Sequence, residues 1–446
     1  MNGTVHTGLW EGFTEPVRDV LWGHVYLTQA MAALIKTPVF IRLSRIFQLG
    51  PAYGVYPGAT HTRASHSIGV YHLSRRLLLN LAEKGAETWL SATGIRSFFC
   101  ASLLHDLGHF PYTHSLKELP LRPHEELTGD LILREPLKTL IGKTGADPYF
   151  TAAIVDTKLP GQGSGELLFY RKLLSGVLDP DKLDYLNRDA RYCGVPYGIQ
   201  DVDFIYNQLR PHRERGVDID SRGIPSVESI LFSKYLMYRT VYWHRSVRSA
   251  TAMIKKVLLA GLMDGTIARE ELYDLDDQGL FSLLSSRPHP LFPLALLVRE
   301  GQYYPVVAEF PFDREIHGEL RDIGNRSRYE QALALELSES LGRNIRPGEL
   351  IIDVPEPVSF ETGLRVTDES DSSDDSAGGG DGPDLTGGLD RGLYDNSGVF
   401  TAQTVEGFIK SLRIIRIFVD PIHEIPLKSD KRLPGILHIK KKWLQL

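Results

Sequence analysis

The sequence has 446 residues, 42% hydrophobic and 24% charged, a globular composition in a chain too long for one ordinary core. No apolar run reaches the roughly 18 residues of a membrane span, the N-terminus lacks the features of a signal peptide, and two cysteines are too few for a disulfide framework. The net charge is −6, but residues 368–390 hold eight acids without Lys or Arg, so the rest carries only +2. We therefore expect a cytoplasmic protein with neither a membrane nor duplex nucleic acid as a partner.

Hydrophobic periodicity predicts a nearly all-helical architecture for about the first 265 residues. Thr37-Pro38 suits a helix start, because proline is tolerated in the first helical turn. Apolar side chains then recur at helical spacing until Gly50-Pro51 ends the segment. The predicted helical segments cover residues 39–47, 66–81, 97–107 and 226–264.

The pattern changes after about residue 300, where short β-rich runs flank one helical segment. Residues 304–310, 350–355 and 413–420 are strand-like, and residues 327–341 are helical. We therefore predict a mostly α-helical protein, with a helical core over residues 1–300 and a small α+β C-terminal subdomain over residues 301–446. The acidic segment 368–391 has almost no apolar side chains to offset the entropy of ordering, which predicts a disordered loop.

Four histidines fall within the twenty residues 105–124, and the first of them precedes an aspartate in an apolar segment. A single His-acid pair is more often structural than functional. Burying the Asp106 carboxylate, however, costs several kcal/mol unless a cation compensates it. His105 and His109 would share one face if the helix continued through Gly108. With His66 and Asp181, these residues supply imidazole and carboxylate ligands from three segments, as a transition-metal site requires.

The segment around Asp181 carries a polar stripe. Asp181, Asp184, Tyr185 and Arg188 stand at i, i+3, i+4 and i+7, on one side of a helix. One interpretation is a salt-bridged surface helix. The other is a site in which Lys182 and Arg188 supply phosphate-binding cations beside a metal.

Taken together and in order, eight motifs resemble the HD-domain deoxynucleoside triphosphate triphosphohydrolases. These enzymes split a dNTP into deoxynucleoside and inorganic triphosphate. Each motif alone is weak, but the ordered set is specific and extends from about residue 16 to 250. The motifs are Gly23–Leu27, Thr37–Leu43, Gln48–Gly50, Tyr56–Arg63, His66–Val70, His105–His114, His124-Glu125 and Asp181–Asp189.

The resemblance implies a function for residues at the matching positions. It implies that the metal ligands are His66, His105, Asp106 and Asp181. It implies substrate contacts from Gln48 and Leu49 at the sugar, Arg63 and Lys182 at the phosphates, Tyr185 and Asp189 at the nucleoside, and Arg239, Tyr242 and His244 on a later helix. It implies that His114 is the general acid or base, with His109, His124 and Glu125 beside it.

The resemblance also implies cofactors and partners. A His/carboxylate site suits Mn, Fe, Co, Ni or Zn, whereas Mg would accompany the triphosphate. We expect a dNTP substrate and a homo-oligomer, either a dimer, a tetramer or a hexamer, and the sequence leaves open whether a nucleotide effector binds.

One departure from the family pattern lies next to His114. Family members often have an acid three residues later, where this chain has Lys117, so Glu118 or Glu125 is the candidate partner of His114. Two other hypotheses remain open. One is another HD-type phosphohydrolase acting on a nucleotide monophosphate, a cyclic nucleotide or an alarmone. The other is a non-catalytic protein that binds nucleotides or single strands.

Overall fold

The computed structural model describes residues 9, 11–161, 165–358, 360, 364–367 and 399–429. Within these ranges the fold is mostly helical, with 19 helices and small sheets, as predicted from the sequence. No helix in the described part of the chain combines the length and apolar character that crossing a bilayer requires. The predicted disordered loop 368–391 lies outside the described residues.

The bounds of the regular elements are as follows. The helices are α1 (Gln29–Leu34), α2 (Pro38–Leu43), α3 (Arg63–Glu83), α4 (Ala92–Leu104), α5 (His124–Ile132), α6 (Leu137–Lys143), α7 (Pro148–Val155), α8 (Gly165–Leu174), α9 (Pro180–Cys193), α10 (Val202–Gln208), α11 (Ile224–Met237), α12 (Arg245–Met263), α13 (Glu270–Tyr273), α14 (Asp277–Ser285), α15 (Pro293–Arg299), α16 (Arg314–His317), α17 (Ile323–Leu341), α18 (Ala402–Leu412) and α19 (Pro421–Ser429). The strands are β1 (Phe13–Asp19), β2 (Gly23–Thr28), β3 (Leu209–His212), β4 (Gly216–Asp220), β5 (Val306–Pro311), β6 (Leu350–Asp353), β7 (Val366–Thr367) and β8 (Ile414–Val419).

Two hairpins interrupt the part that was predicted to be nearly all-helical. Strands β1 and β2 pair antiparallel with Val17 opposite Val25, and β3 pairs antiparallel with β4. The first hairpin packs on α3, where Tyr71 donates a hydrogen bond to the Tyr26 carbonyl over 2.9 Å. Alternation within such short strands is a weak signal, so the sequence predicted no element for these two segments.

Helix α3 lies at the centre of the helical core, packed against α4 and α9. Its N-terminus is closed by a capping box between Thr62 and Ser65. Its buried face includes Leu73, Leu77 and Leu78, each worth about 1.5–3 kcal/mol relative to an exposed side chain. The helix therefore holds its N-terminal turns rigidly, and these turns carry the first predicted metal ligand.

Helix α4 ends at Leu104, three residues earlier than predicted. The chain turns immediately after it, with hydrogen bonds from Leu107 N–H to the Leu104 carbonyl and from His109 N–H to the Asp106 carbonyl. The expectation that His105 and His109 share a helical face is therefore wrong. A tight turn presents them instead, because α5 approaches closely at Gly108.

A buried arginine fixes this turn from the other side. Arg42 of α2 donates hydrogen bonds to the carbonyls of Leu107 at 2.6 Å, His109 at 2.7 Å and Leu275 at 3.0 Å. These carbonyls have no partner within a helix, so the guanidinium supplies the donors that the irregular backbone needs. The conformation of the turn thus depends on α2, far away in sequence.

The predicted helix over residues 226–264 is two helices. Helices α11 and α12 are separated by a π-helical turn over Tyr238–Tyr242. The side chain of His244 caps α12 by accepting a hydrogen bond from Ser246 N–H over 3.3 Å. The break places Tyr242 beside α9.

The C-terminal part forms an antiparallel sheet with the strand order β5–β8–β6. One face of β8 packs with α17 in a hydrophobic cluster of its own. A different cluster joins Leu116 to α12 and to Ile351 and Phe418 of the sheet. This cluster contains residues from both sides of position 300, so the division of the chain into two parts at that position stays a prediction.

We expect Gly108→Ala to destabilise the fold by about 2 kcal/mol or more, because a Cβ would overlap the backbone of His124 and Thr128. The matched control is Gly142→Ala in α6, where a Cβ meets open space. That change should stabilise the protein by about 0.5–1 kcal/mol. Urea unfolding measures both variants, and wild-type stability in Gly108→Ala would contradict the close approach.

Candidate metal centre

Three distant segments bring the four predicted metal ligands together. His66 on α3, His105 after α4 and Asp181 in the first turn of α9 have ligand atoms within 4.8 Å of one another. Nε2 of His66 lies 2.9 Å from Oδ1 of Asp181, and Nε2 of His105 lies 3.8 Å from the same oxygen. Oδ1 of Asp106 is 3.3 Å from Nε2 of His105. Donor atoms of His66, His105 and Asp181 therefore converge on one point, with Asp106 beside His105. The Asp181 side chain is 36% exposed, so this point opens to solvent, and the opening is called the cleft below.

The hydrogen bonds around the two histidines leave their Nε2 lone pairs directed at this point. Nδ1–H of His66 donates to Asp184 over 2.8 Å, and Nδ1–H of His105 donates to the Ser102 carbonyl over 2.9 Å. Nε2 of His105 is buried and makes no hydrogen bond within the described residues. Nε2 of His66 faces a carboxylate oxygen, which is unfavourable without a proton or a cation between them. Two imidazoles and two carboxylates thus fit a transition-metal ion.

Neighbouring charges shift the pKa values of the candidate ligands strongly. Burial lowers the pKa of His66, but the hydrogen bonds to Asp181 and Asp184 outweigh it and raise the pKa to about 10. Burial raises the pKa of Asp106, but His109, His105 and Arg63 outweigh it and hold that pKa well below its ordinary value. At neutral pH these interactions therefore favour the protonated form of His66 between the carboxylates of Asp181 and Asp184.

Asp184 orients His66, a function that was not predicted from the sequence. Besides His66, its carboxylate accepts hydrogen bonds from Trp22 Nε1 at 2.6 Å and from Arg188 Nε at 2.8 Å and Nη2 at 2.9 Å. Arg188 continues to Asp19 of the first hairpin over 2.9 Å. Asp184 and Arg188 are fully buried, so the interpretation as a salt-bridged surface helix is wrong for them. Their i, i+4 spacing was the available signal.

Gly69 makes this arrangement sterically possible. A Cβ there would overlap the Asp184 carboxylate and the Arg188 guanidinium, which lie directly against the backbone of α3. The absence of a side chain lets α9 approach α3 closely enough for Asp184 to reach His66. The glycine in His66–Val70 therefore serves packing beside the metal ligand.

A second group of potential ligands consists of Asp106, His109 and His124. Nε2 of His109 is 3.0 Å from Oδ1 of Asp106, and its ring stacks on His124 with centroids 3.8 Å apart. Arg63 donates to the other Asp106 oxygen over 2.8 Å. Burial and Arg63 hold the pKa of His109 well below its ordinary value, and burial is the main cause that lowers the pKa of His124 to about 4. Both imidazoles are therefore neutral at neutral pH.

His114 lies on the short turn Thr113–Leu116, exposed to the cleft, with its ring centroid 4.7 Å from that of His109. Desolvation by the cleft walls and the nearby Arg63 lower its pKa well below the ordinary value. Neither acid proposed as its partner contacts it within the described residues. Glu125 lies 3.2 Å from Nδ1 of His124, and Glu118 binds Lys255 and Arg326, so both candidate acids are paired with other side chains.

The predicted sugar-binding residues form a network further along α9. Asp189 stands about 12 Å along the helix axis from Asp181. It is buried, accepts a hydrogen bond from Tyr242 O–H over 2.6 Å and faces Nε2 of His61 at 2.8 Å. The Tyr185 ring meets Tyr242 edge-on, with centroids 6.5 Å apart. This network closes one wall of the cleft.

The remaining residues that were predicted to contact the substrate make hydrogen bonds or packing contacts within the protein. Lys182 donates to Asp179 over 2.7 Å, and Arg239 donates to Tyr235 O–H over 2.6 Å. The backbone N–H of Gln48 donates to the His61 carbonyl over 3.0 Å. The side-chain oxygen of Gln48 is buried and makes no hydrogen bond within the described residues. Leu49 packs half-buried next to it, and His244 faces the Tyr56 ring. Their contacts with a substrate stay predictions.

The helical fold with its His/Asp cluster is similar to that of known HD-domain proteins and phosphohydrolases. The sequence model of the HD associated region matches residues 201–373. The uncharacterised protein YwfO of Bacillus subtilis is 36% identical over 226 residues, covering 50% of both chains. The deoxynucleoside triphosphate triphosphohydrolase SAMHD1 of Homo sapiens is 27% identical over 274 residues, covering 54% of this chain and 44% of its own. These similarities support an HD-domain family for this chain.

A solved structure extends the similarity to almost the whole fold. A phosphohydrolase from Bacteroides thetaiotaomicron superimposes with a TM-score of 0.68, covering 91% of this chain and 99% of its own, at 22% sequence identity. At this identity the similarity concerns the fold. The chain spans about half the length of the curated relatives that it matches first.

We expect Asp184→Asn to weaken metal binding about 10–100-fold, because His66 loses the carboxylate that orients it. The control is Asp353→Asn, since Asp353 is equally buried and binds Arg248 away from the cluster. Both variants should lose stability, and only the first should lose metal affinity in a chelator competition. Equal affinities would contradict the orienting function.

Metal affinity should also depend on pH in a defined direction. Because the metal-free pKa of His66 is raised to about 10, a proton must leave His66 when the ion binds at neutral pH. We expect the apparent affinity to fall about tenfold for each pH unit between pH 8.5 and 6.5. Titration of the metal-free protein with Zn or Mn at several pH values measures this, and a constant affinity would rule out the protonated imidazole.

Proposed function

We propose that this protein hydrolyses deoxynucleoside triphosphates to deoxynucleoside and inorganic triphosphate in a metal-dependent reaction. The observation that supports the proposal is the convergence of His66, His105 and Asp181, with Asp106 between His105 and Arg63 and with neutral imidazoles next to it. The name of the SAMHD1 relatives supports the substrate class.

The proposed ligands would hold Mn, Fe, Co, Ni or Zn, and Mg would accompany the triphosphate. When bound, the metal would polarise a phosphoryl oxygen and lower the pKa of water. Arg63 lies against Asp106 and leaves its Nε without a hydrogen bond in the described residues. Its positive charge favours a polyphosphate at this end of the cleft.

His114 is the proposed proton donor to the 5′-oxygen that leaves. Its lowered pKa favours the neutral ring before a substrate binds. The arrival of a triphosphate places negative charge opposite the ring, which raises the pKa and favours the protonated form that this step needs. His109 and His124, oriented by Asp106 and Glu125, would contribute hydrogen bonds to phosphate oxygens.

The nucleoside would lie along α9, away from the metal. We propose that Gln48 and Leu49 lie against the sugar, that Asp189 accepts a hydrogen bond from its 3′-hydroxyl, and that Tyr185 packs on the nucleoside. Tyr242 supports Asp189 through its hydrogen bond. Further proposed substrate contacts come from Lys182, Arg239 and His244. A cytoplasmic homo-oligomer with a nucleotide effector also belongs to this proposal.

The deciding experiment is incubation with each dNTP and rNTP in the presence of Mn or Mg, followed by separation of the products. Release of triphosphate and deoxynucleoside is expected. Pyrophosphate or stepwise phosphate release would indicate another HD-type phosphohydrolase acting on a different nucleotide. Tight dNTP binding without any product would indicate a nucleotide-binding protein.

We expect Asp106→Ala to lose metal and activity together, because Asp106 is both a proposed ligand and the partner of Arg63 and His109. The fall in turnover should reach about 1000-fold or more. Asp264→Ala is the control, since Asp264 is an exposed acid paired with His289 outside the cleft. Elemental analysis and turnover are measured on both variants, and full metal content in Asp106→Ala would remove it from the ligand set.

A further inference from the structure

We infer that Glu118 is a positioning residue, through which helices α12 and α17 hold the turn that carries His114. The inference rests on the proposed function, because it assigns to Glu118 an effect on the proton transfer by His114. It differs from a direct hydrogen bond between the two side chains, which the structure does not contain within its described residues.

Both oxygens of Glu118 bind buried cations from different helices. Oε2 lies 2.5 Å from Nζ of Lys255 on α12, and Oε1 pairs with Nη2 of Arg326 on α17. Only 6% of the Lys255 side chain and 4% of the Arg326 side chain are exposed. Two bonds from opposite oxygens fix the orientation of the carboxylate as well as its position.

The segment between His114 and Glu118 is short and tightly packed. It begins after Tyr112, whose φ of 62° is unusual for a residue with a side chain and requires support from its surroundings. Leu116 and Leu119 are buried in the cluster that includes α12. A displacement of Glu118 must therefore move the His114 turn as a unit.

His114 itself depends on this backbone for its place. Within the described residues its contacts are ring contacts, with centroids 4.7 Å from His109 and 5.3 Å from His124. These contacts restrain the ring loosely, whereas general acid catalysis requires the donor within hydrogen-bond reach of the leaving oxygen. The placement of the turn, and hence Glu118, sets that distance.

The cations that hold Glu118 belong to a larger ionic network. Arg248 on α12 makes two hydrogen bonds to Asp353 of β6, at 2.7 and 2.5 Å. Lys256 pairs with Glu330 of α17, whose other oxygen accepts the Ile352 amide over 2.9 Å. Helix α12, helix α17 and strand β6 are thus joined by charges, and Glu118 connects them to the cleft.

The first test compares Glu118→Gln with Lys256→Gln. Lys256 stands next to Lys255 and also bridges α12 to α17, but it does not contact Glu118. We expect both variants to lower Tm, and only Glu118→Gln to lower kcat, about tenfold, with unchanged KM and metal content. Equal retention of kcat in both variants, or an equal loss in both, would overturn the inference.

Arg326→Gln removes only one of the two ionic bonds to Glu118, because the bond from Lys255 remains. It should lower kcat less than Glu118→Gln, and the double variant should lose no more kcat than Glu118→Gln alone. Additive losses would mean that Arg326 acts independently of Glu118 and would contradict the inference.

A readout without turnover separates this inference from the proposed function. The ring Cε1–H signal of His114 in the NMR spectrum, assigned by its disappearance in His114→Gln, should shift in Glu118→Gln and stay in place in Lys256→Gln. If the wild-type protein releases no triphosphate, the proposed function fails, and this signal still decides whether Glu118 positions His114. An unmoved signal in Glu118→Gln overturns the inference.

Discussion

The metal centre depends on one buried carboxylate, Asp184. It receives Nδ1–H of His66 and the guanidinium of Arg188 and so fixes which nitrogen of His66 faces the other ligands. A buried carboxylate with three strong donors stays ionised, and the pKa of Asp184 is accordingly lowered to about 2 because these interactions outweigh burial. The positions of α3 and α9 relative to each other follow from this bond, since Gly69 leaves just enough space for it.

Ionised carboxylates and neutral imidazoles lie close to one another in the cleft. The carboxylates of Asp106 and Asp181 are ionised, whereas His109, His114 and His124 lie in surroundings that favour neutral imidazole. Arg63 contributes to both effects, because a single positive charge stabilises Asp106 and opposes protonation of the rings. Candidate metal ligands on one side and neutral imidazoles on the other are the groups that the proposed hydrolysis requires.

Much of the site could be predicted from the sequence because its ligands occur in motifs with characteristic order. The motifs predict His66, His105, Asp106 and Asp181 as ligands; the structure places ligand atoms of His66, His105 and Asp181 within 4.8 Å of one another, and Asp106 lies 3.3 Å from His105. The turn after Leu104 could not be predicted, since it depends on Arg42 and on α5. Periodicity also gave no indication of the two hairpins. Glu118 was one of two candidate partners of His114, and nothing local reveals that its charge is already paired with Lys255 and Arg326.

The first hairpin belongs to the metal centre even though it supplies no ligand. Its turn is closed by Asp19, which accepts from the amides of Leu21 and Trp22 and binds Arg188 with its second oxygen. Fraying of this hairpin would admit water to Arg188 and loosen Asp184 without disturbing the large hydrophobic core. Amide hydrogen exchange in β1 and β2 would then report the occupancy of a site whose ligands lie on other elements, because local opening and ion binding are thermodynamically linked.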